Sequence, residues 1–311
     1  MTWLRRLIGA LMMCSALALA LSRAPDRPVE SLVAKWAAPP SQFIQIKGQL
    51  VHLRDEGLAH DPRPLVLIHG TSASLHTWEG WAKALRGGRR VISVDLPGFG
   101  LSGANAMADY RSDTDARFVL ELMDHLGVRL FSIAGNSLGG EVAWRVAARA
   151  PERVHSLILV DAGGYAFEPQ EVPWGFQLAR TPILNRLSEW MLPRAVVERS
   201  VRQVYGDPGK VTSELIDRHF ELTLREGNRR ALVQRLAQAE PGADALLIKK
   251  LRLPTLVMWG GRDRLIPVHW ASRFVADIPS SQLVVFDHLG HVPQEEDPAL
   301  TVQAVKTFLG T

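Results

Sequence analysis

The sequence predicts an α/β fold: a mostly parallel sheet of eight strands, helices on both faces, and a helical insertion between the sixth and seventh strands. Three observations predict it. Short apolar runs alternate with helical patterns from residue 43 onward, the order expected of βαβ units. The segment between 165 and 250 contains no convincing strand. The polar loops lie just after the apolar runs, at the carboxyl ends of the strands, where such sheets bind ligands.

Each element follows from its residues. Runs 43–46 and 50–54 form an opening hairpin around Lys47-Gly48. Residues 64–68 make a buried strand that ends in His69-Gly70-Thr71-Ser72. Residues 90–95 make the next, followed by Leu96-Pro97-Gly98-Phe99-Gly100-Leu101-Ser102. A helix is predicted over 112–126. Residues 130–145 then change from a short apolar run to helical spacing, and the helix stops before Pro151. A strand at 157–160 leads into Asp161-Ala162-Gly163-Gly164. Strands at 255–259 and 283–286 and a closing helix at 298–309 complete the core. Within 165–250, amphipathic stretches at 174–179, 183–191, 195–205, 212–226 and 229–240 are broken by Pro and Gly.

The chain has 311 residues, enough for one large α/β domain with an insertion, and its hydrophobic content of 47% is ordinary for a protein with a sizeable core. A formal charge of +4 with dispersed arginines argues against a nucleic-acid role, which needs a basic stripe or an aromatic platform. The single cysteine, Cys14, leaves no internal disulfide framework and no thiolate metal cluster. No phosphate-binding loop or ligand cluster implies a metal or organic cofactor.

Arg5 and Arg6 precede the uncharged run 7–21, the pattern of an export signal. The run is short for a span of roughly 20 residues, which favours cleavage. The A-x-A-like Ala18-Leu19-Ala20 lies inside the run instead of after it, which favours an uncleaved inner-membrane anchor. Both readings stay open, and both place the rest of the chain outside the cytoplasm. Residues 1–24 are thus signal or anchor. Residues 25–42, with Pro25, Pro28, Pro39 and Pro40, read as a linker with a short helix around 29–36. Residues 43–164 and 251–311 form the core, and 165–250 a cap.

The chemistry centres on Gly135-Asn136-Ser137-Leu138-Gly139. A serine between a strand end and a helix start must turn sharply, and the flanking glycines remove the Cβ atoms that would collide there. The turn presents the Ser137 hydroxyl at a helix N-terminus, where amides and the helix dipole support an oxyanion.

With these motifs, the chain from 43 to the C-terminus resembles the α/β-hydrolase fold family. The resemblance rests on His69-Gly70, on Asp95 to Ser102 and on the Gly135 to Gly140 turn. It rests also on Gly260-Gly261-Arg262-Asp263-Arg264-Leu265-Ile266-Pro267 and Gly290-His291-Val292-Pro293, all in family order. The Gly-Asn-Ser-Leu-Gly-Gly form is similar to that of cap-bearing microbial esterases and of meta-cleavage-product hydrolases, which cut carbon–carbon bonds.

The resemblance implies a Ser137–Asp263–His291 triad in the family's chain order. Asp161 is the rival acid and His288 the rival base. It implies an oxyanion hole from the backbone amides of Thr71 and Leu138, with Ser72 as the neighbouring alternative to Thr71. His69 is expected to hydrogen-bond the loop beneath that hole, and Asn136 either orients the turn or faces solvent. Trp174, Phe176 and Trp190, with Met191 and Leu192, are candidates to line an apolar pocket. The expected reaction is hydrolysis of a small apolar carboxylic ester through an acyl-enzyme. Alternatives are carbon–carbon cleavage of a vinylogous diketone by the same triad, and a non-catalytic small-molecule binder. The absence of an HGGG run argues against large tertiary-alcohol esters as substrates.

Overall fold

The computed structural model describes residues 3–7, 9, 12–13, 22–166, 169–181 and 190–310. The export-signal or anchor run 7–21 and the helical stretch 183–191 fall largely outside the described residues. Among the described residues, no helix is long and apolar enough to cross a membrane.

The strands are β1 (Ser41–Ile46), β2 (Gln49–Gly57), β3 (Leu65–Ile68), β4 (Arg90–Val94), β5 (Phe131–Asn136), β6 (Val154–Val160), β7 (Thr255–Gly260) and β8 (Ser281–Phe286). They form one eight-stranded sheet in the order β1-β2-β4-β3-β5-β6-β7-β8. β1 and β2 pair antiparallel, β2 meets β4 antiparallel, and β3 to β8 run parallel. β3, β5 and β7 are buried at every residue, because helices cover both faces of a parallel sheet. β8 lies at the edge and is largely exposed.

The helices are α1 (Glu30–Trp36), α2 (Glu79–Leu85), α3 (Ser112–His125), α4 (Leu138–Arg149), α5 (Trp174–Arg180), α6 (Arg194–Val204), α7 (Ser213–Thr223), α8 (Asn228–Gln238), α9 (His269–Asp277), α10 (Pro293–Glu296) and α11 (Pro298–Leu309). Strand side chains alternate between two cores, as a period of two requires. Val66, Ile133, Leu157 and Val257 pack with α3, α4 and α9. Leu65, Ala134, Ile158 and Met258 pack with Trp81 and Leu85 of α2 and Val302 and Val305 of α11. Helices α2 and α9 have no counterpart in the sequence reading.

The segment read as a linker, with Ser22 and Ala24 at the end of the segment read as signal or anchor, is packed in place. Ala24 donates to the Trp190 carbonyl at 3.0 Å and Arg27 to that of Leu224 at 2.7 Å, while Leu192 and Glu226 donate back to Ser22 and Arg27. Leu32 and Trp36 of α1 are buried with Leu101 and Leu222. Proline-rich composition signalled irregular backbone, but the burial of α1 comes from partners about 65 to 190 positions away.

The topology positions the site. β3 lies between β4 and β5, so the chain direction across the sheet reverses there, and the loops leaving β3 and β5 open a crevice. Ile68 pairs with Gly135, so the loop from His69 and the turn at Ser137 leave the sheet side by side.

Candidate active site

Ser137 is the hinge between β5 and α4. Its backbone has φ 56° and ψ −118°, a conformation that costs a non-glycine residue about 1–3 kcal/mol. The surroundings hold it: its amide donates to the Val160 carbonyl at 3.0 Å, and its own carbonyl accepts from Glu141 and Gly163. Close approach explains the glycines. A Cβ on Gly135 would sit 2.0 Å from the Gly139 carbonyl oxygen, and one on Gly139 would sit 2.1 Å from that of Ile68. Among the described residues the Ser137 hydroxyl makes no hydrogen bond, and such contacts commonly tighten only with substrate in place.

The β3 loop closes over this turn. A Cβ on Gly70 would lie 3.1 Å from the Cβ of Ser137. Thr71, Ser137 and Leu138 line one cavity of about 390 Å³. His69 is fully buried beneath the loop, where Nδ1 donates to the Gly70 carbonyl at 2.7 Å and Nε2 accepts the Leu96 amide at 3.0 Å. Burial lowers its pKa, which keeps the ring neutral and able to accept. Asp95 ties down the loop ends, accepting the amides of Leu75 at 2.7 Å and Leu101 at 2.8 Å. Burial opposes ionisation of Asp95, yet contacts with His52 hold its carboxyl below the usual range.

Asp263 follows β7 and His291 follows β8, and both are buried. Asp263 Oδ1 accepts the amides of Leu265 at 2.8 Å and Ile266 at 2.9 Å. Its Oδ2 meets Nδ1 of His291 at 2.7 Å. A carboxylate there fixes the proton on Nδ1 and leaves Nε2 as the basic nitrogen. Asn136 bridges this pair to the serine: its Nδ2 donates to the carbonyls of Val160 at 3.1 Å and His291 at 2.9 Å. His288 is exposed, beside Arg262 at 3.4 Å. Asp161 is fully buried. Among the described residues, Asp161, Asp263 and His291 form a group whose donor atoms lie within 4.8 Å of one another. Hydrogen bonds already engage the His291 Nδ1 and both oxygens of Asp263, so this donor set does not fit a metal ion.

A strained serine turn, a buried His–Asp pair and a cavity lined by Thr71, Ser137 and Leu138 thus lie at the carboxyl edge of the sheet. The family model of the alpha/beta hydrolase fold matches residues 63–192 and 177–298. The chain belongs to the alpha/beta hydrolase fold family. It is 32% identical over 294 residues to the 2-hydroxy-6-oxononadienedioate/2-hydroxy-6-oxononatrienedioate hydrolase of Burkholderia vietnamiensis, across 90% of this chain and 96% of that protein. Among solved structures it is similar to a bacterial membrane phospholipase A, with a TM-score of 0.74 and 26% identity over 99% of this chain and 95% of that one. It is equally similar to the meta-cleavage product hydrolase of Pseudomonas fluorescens IP01, with a TM-score of 0.75 and 26% identity over 86% and 97% of the two chains.

Two residues that sequence reading did not single out hold this α/β-hydrolase site together. Glu296 is buried, and its carboxylate accepts three backbone amides: Gly290 at 2.8 Å, Gly206 at 2.9 Å and Asp207 at 2.8 Å. It therefore staples the His291 loop to the chain after α6, and the His291 amide adds a bond to the Val204 carbonyl at 2.8 Å. His219 of α7 hydrogen-bonds the Ser72 carbonyl at 3.1 Å. Burial, then the nearby Arg218, lowers its pKa to about 4, so the ring is neutral at pH 7 and donates from Nδ1. The only local hint of Glu296 was an acidic pair five residues past a histidine.

Two apolar candidates of the hydrolase are corrected. Trp174 is half-exposed with the Arg199 guanidinium 4.2 Å above its ring, and Trp190 is 68% exposed. Among the described residues, neither lines the cavity that holds Ser137 or the apolar one beside it. Phe176, two residues on and so about 200° round the helix from Trp174, faces inward and borders both the Ser137 cavity and an apolar one. Helical phase decides between them, and the sequence did not reveal which face of α5 turns inward.

Asn136→Ala is expected to free two buried carbonyls and destabilise the fold by about 1–3 kcal/mol. Because one of them belongs to His291, kcat is expected to fall more than KM rises. Urea unfolding and steady-state kinetics check both.

Proposed function

We propose that this α/β-hydrolase cleaves carboxylic esters that carry an apolar acyl chain, through an acyl-enzyme on Ser137. The observation that carries the proposal is the apolar cavity of about 140 Å³ beside the nucleophile turn, walled by Phe176, Leu178, Val197, Val201 and Leu232 and reaching Thr71. It shares Thr71 and Phe176 with the cavity that holds Ser137, so a chain lying in it presents its carbonyl at the serine.

The Ser137 Oγ adds to the carbonyl carbon as His291 Nε2 takes its proton. The Thr71 and Leu138 amides donate to the negative oxygen that forms; neither has another acceptor among the described residues. Collapse breaks the C–O bond, and the alcohol leaves with the proton from His291. Water then attacks the acyl group, gives a proton to His291, and the acid departs as Ser137 regains its hydrogen. Asp263 keeps Nδ1 protonated and stabilises the imidazolium in both halves.

The similarity to the phospholipase extends over 99% of this chain and supports a lipid-like ester. In this reading the run 7–21 exports the protein or anchors it in the inner membrane, and fractionation of cells carrying the full chain tests that. The 32% identity to the nonadienedioate hydrolase favours a second reading, carbon–carbon cleavage. Such a substrate brings carboxylates. Three of the four arginines of the Ser137 cavity, Arg111, Arg145 and Arg235, are already engaged by Asp109, Asp244 and Asp115, whereas the fourth, Arg180, has no carboxylate partner among the described residues.

A panel of p-nitrophenyl esters of graded chain length, run beside a coloured 2-hydroxy-6-oxodienoate, separates the two. Leu232→Trp, which fills the apolar cavity, is expected to lower kcat/KM for long acyl esters by about tenfold or more and to spare acetate. Turnover of the dienoate alone would sink the ester proposal.

A further inference from the structure

The buried acid next to Asp263 is unused in the scheme above. Asp161 ends β6, is fully buried, and has φ 46°, so its side chain enters the site from a strained backbone. Its Oδ1 accepts the Gly260 amide at 2.9 Å, while Oδ2 meets no donor. An orphaned, buried carboxylate oxygen is costly. Asp263 stands against it, with one carboxyl oxygen of each within 4.8 Å and the His291 ring nitrogen equally near.

Two ionised carboxylates in one buried site repel, so one of them holds a proton. The surrounding donors decide which. The Asp263 anion accepts two amides and the His291 ring, and that of Asp161 accepts a single amide. Glu296 adds a third negative charge on the side of α10. Burial first, then the charge of Asp263, raises the Asp161 pKa well above the carboxyl range; a hydrogen bond to Asp263 and the charge of Glu296 act in the same direction.

We propose that Asp161 is a positioning residue: kept as the neutral acid, it donates its Oδ2 hydrogen to Asp263 and thereby fixes the carboxylate that orients His291. This rests on Asp263 being the acid of the triad. It also gives the orphaned oxygen a partner, since a carboxylic acid is a donor where a carboxylate is only an acceptor.

The decisive measurement does not depend on turnover. The infrared difference spectrum of wild type minus Asp161→Asn at pH 7 is expected to contain a carboxylic-acid carbonyl band. Carboxylate bands in its place would overturn the proposal. Asp161→Asn keeps an acceptor for Gly260 and an N–H donor for Asp263, whereas Asp161→Val keeps neither. Ester turnover is expected to fall about tenfold in kcat with KM little changed for Val, the worth of a hydrogen bond to a charged group, and to be rescued by Asn. An Asn variant as impaired as Val, with native near-ultraviolet circular dichroism, also overturns it.

Stability supplies a third readout. Below about pH 4 the acid is protonated folded or unfolded. As pH rises, only the unfolded chain ionises, so the wild type is expected to lose stability relative to Asp161→Asn between about pH 4 and 7. Parallel curves would count against the proposal. A wild type that turns over no ester at all refutes the proposed function and leaves the infrared result to stand alone.

Discussion

Ser137→Ala is expected to lower kcat for ester hydrolysis by on the order of 10⁶-fold, with His291→Ala equally damaging and Asp263→Asn costing on the order of 10⁴-fold. The reason is that, in the proposed mechanism, the three groups act as one proton relay. Without the hydroxyl no acyl-enzyme forms; without Nε2 the hydroxyl keeps its proton; with an amide at 263 the Nδ1 proton loses its anionic partner 2.7 Å away. The double variant Ser137→Ala/His291→Ala should therefore be no worse than either single one. The Ser137 side chain makes no hydrogen bond among the described residues, so its loss leaves unfolding by urea unchanged. A fluorophosphonate probe should label wild type and not the alanine variant. Ester turnover that survives in folded Ser137→Ala removes the residue from its role.

Glu296→Ala is expected to give the largest loss of stability, on the order of 3 kcal/mol or more, because the amides of Gly290, Gly206 and Asp207 lose one shared buried acceptor. Unlike Ser137→Ala, it strikes fold and activity together. Gly290 directly precedes His291, so release of that amide also displaces the ring from Asp263 and lowers kcat. Glu296→Gln retains one acceptor oxygen and should fall between. Guanidinium unfolding with an unchanged m value, beside kinetics well below the variant's midpoint, measures the two effects separately. A Glu296→Ala protein as stable as wild type would mean that water takes over all three amides.

The strands were legible because both faces of the sheet are covered, which turns β3, β5, β6 and β7 into short apolar runs bounded by glycine, proline and polar loops. The turn at Ser137 was legible because its glycines are dictated locally, by atoms within four residues or on the paired strand. Helices α2 and α9, seven and nine residues long, offer barely two turns of periodicity and escaped reading, although α1 and α5, equally short, were read. The orientation of α5 escaped for a related reason: a helix of seven residues rich in apolar side chains presents no clear stripe, and its neighbours decided that Phe176 turns inward and Trp174 outward.

By itself, then, the sequence determined the order of strands and helices, the strained serine turn, and which types of side chain arrive at the sheet's carboxyl edge. These are local properties, set by backbone sterics and hydrophobic period. The tertiary structure alone decided that Asn136 grips the His291 carbonyl, that Glu296 gathers amides from two distant loops, and that Asp161 lies against Asp263. Apart from the bond between Glu296 and nearby Gly290, each of those contacts joins residues 89 to 155 positions apart. They exist because burial obliges a polar group to find a partner wherever the packed chain provides one.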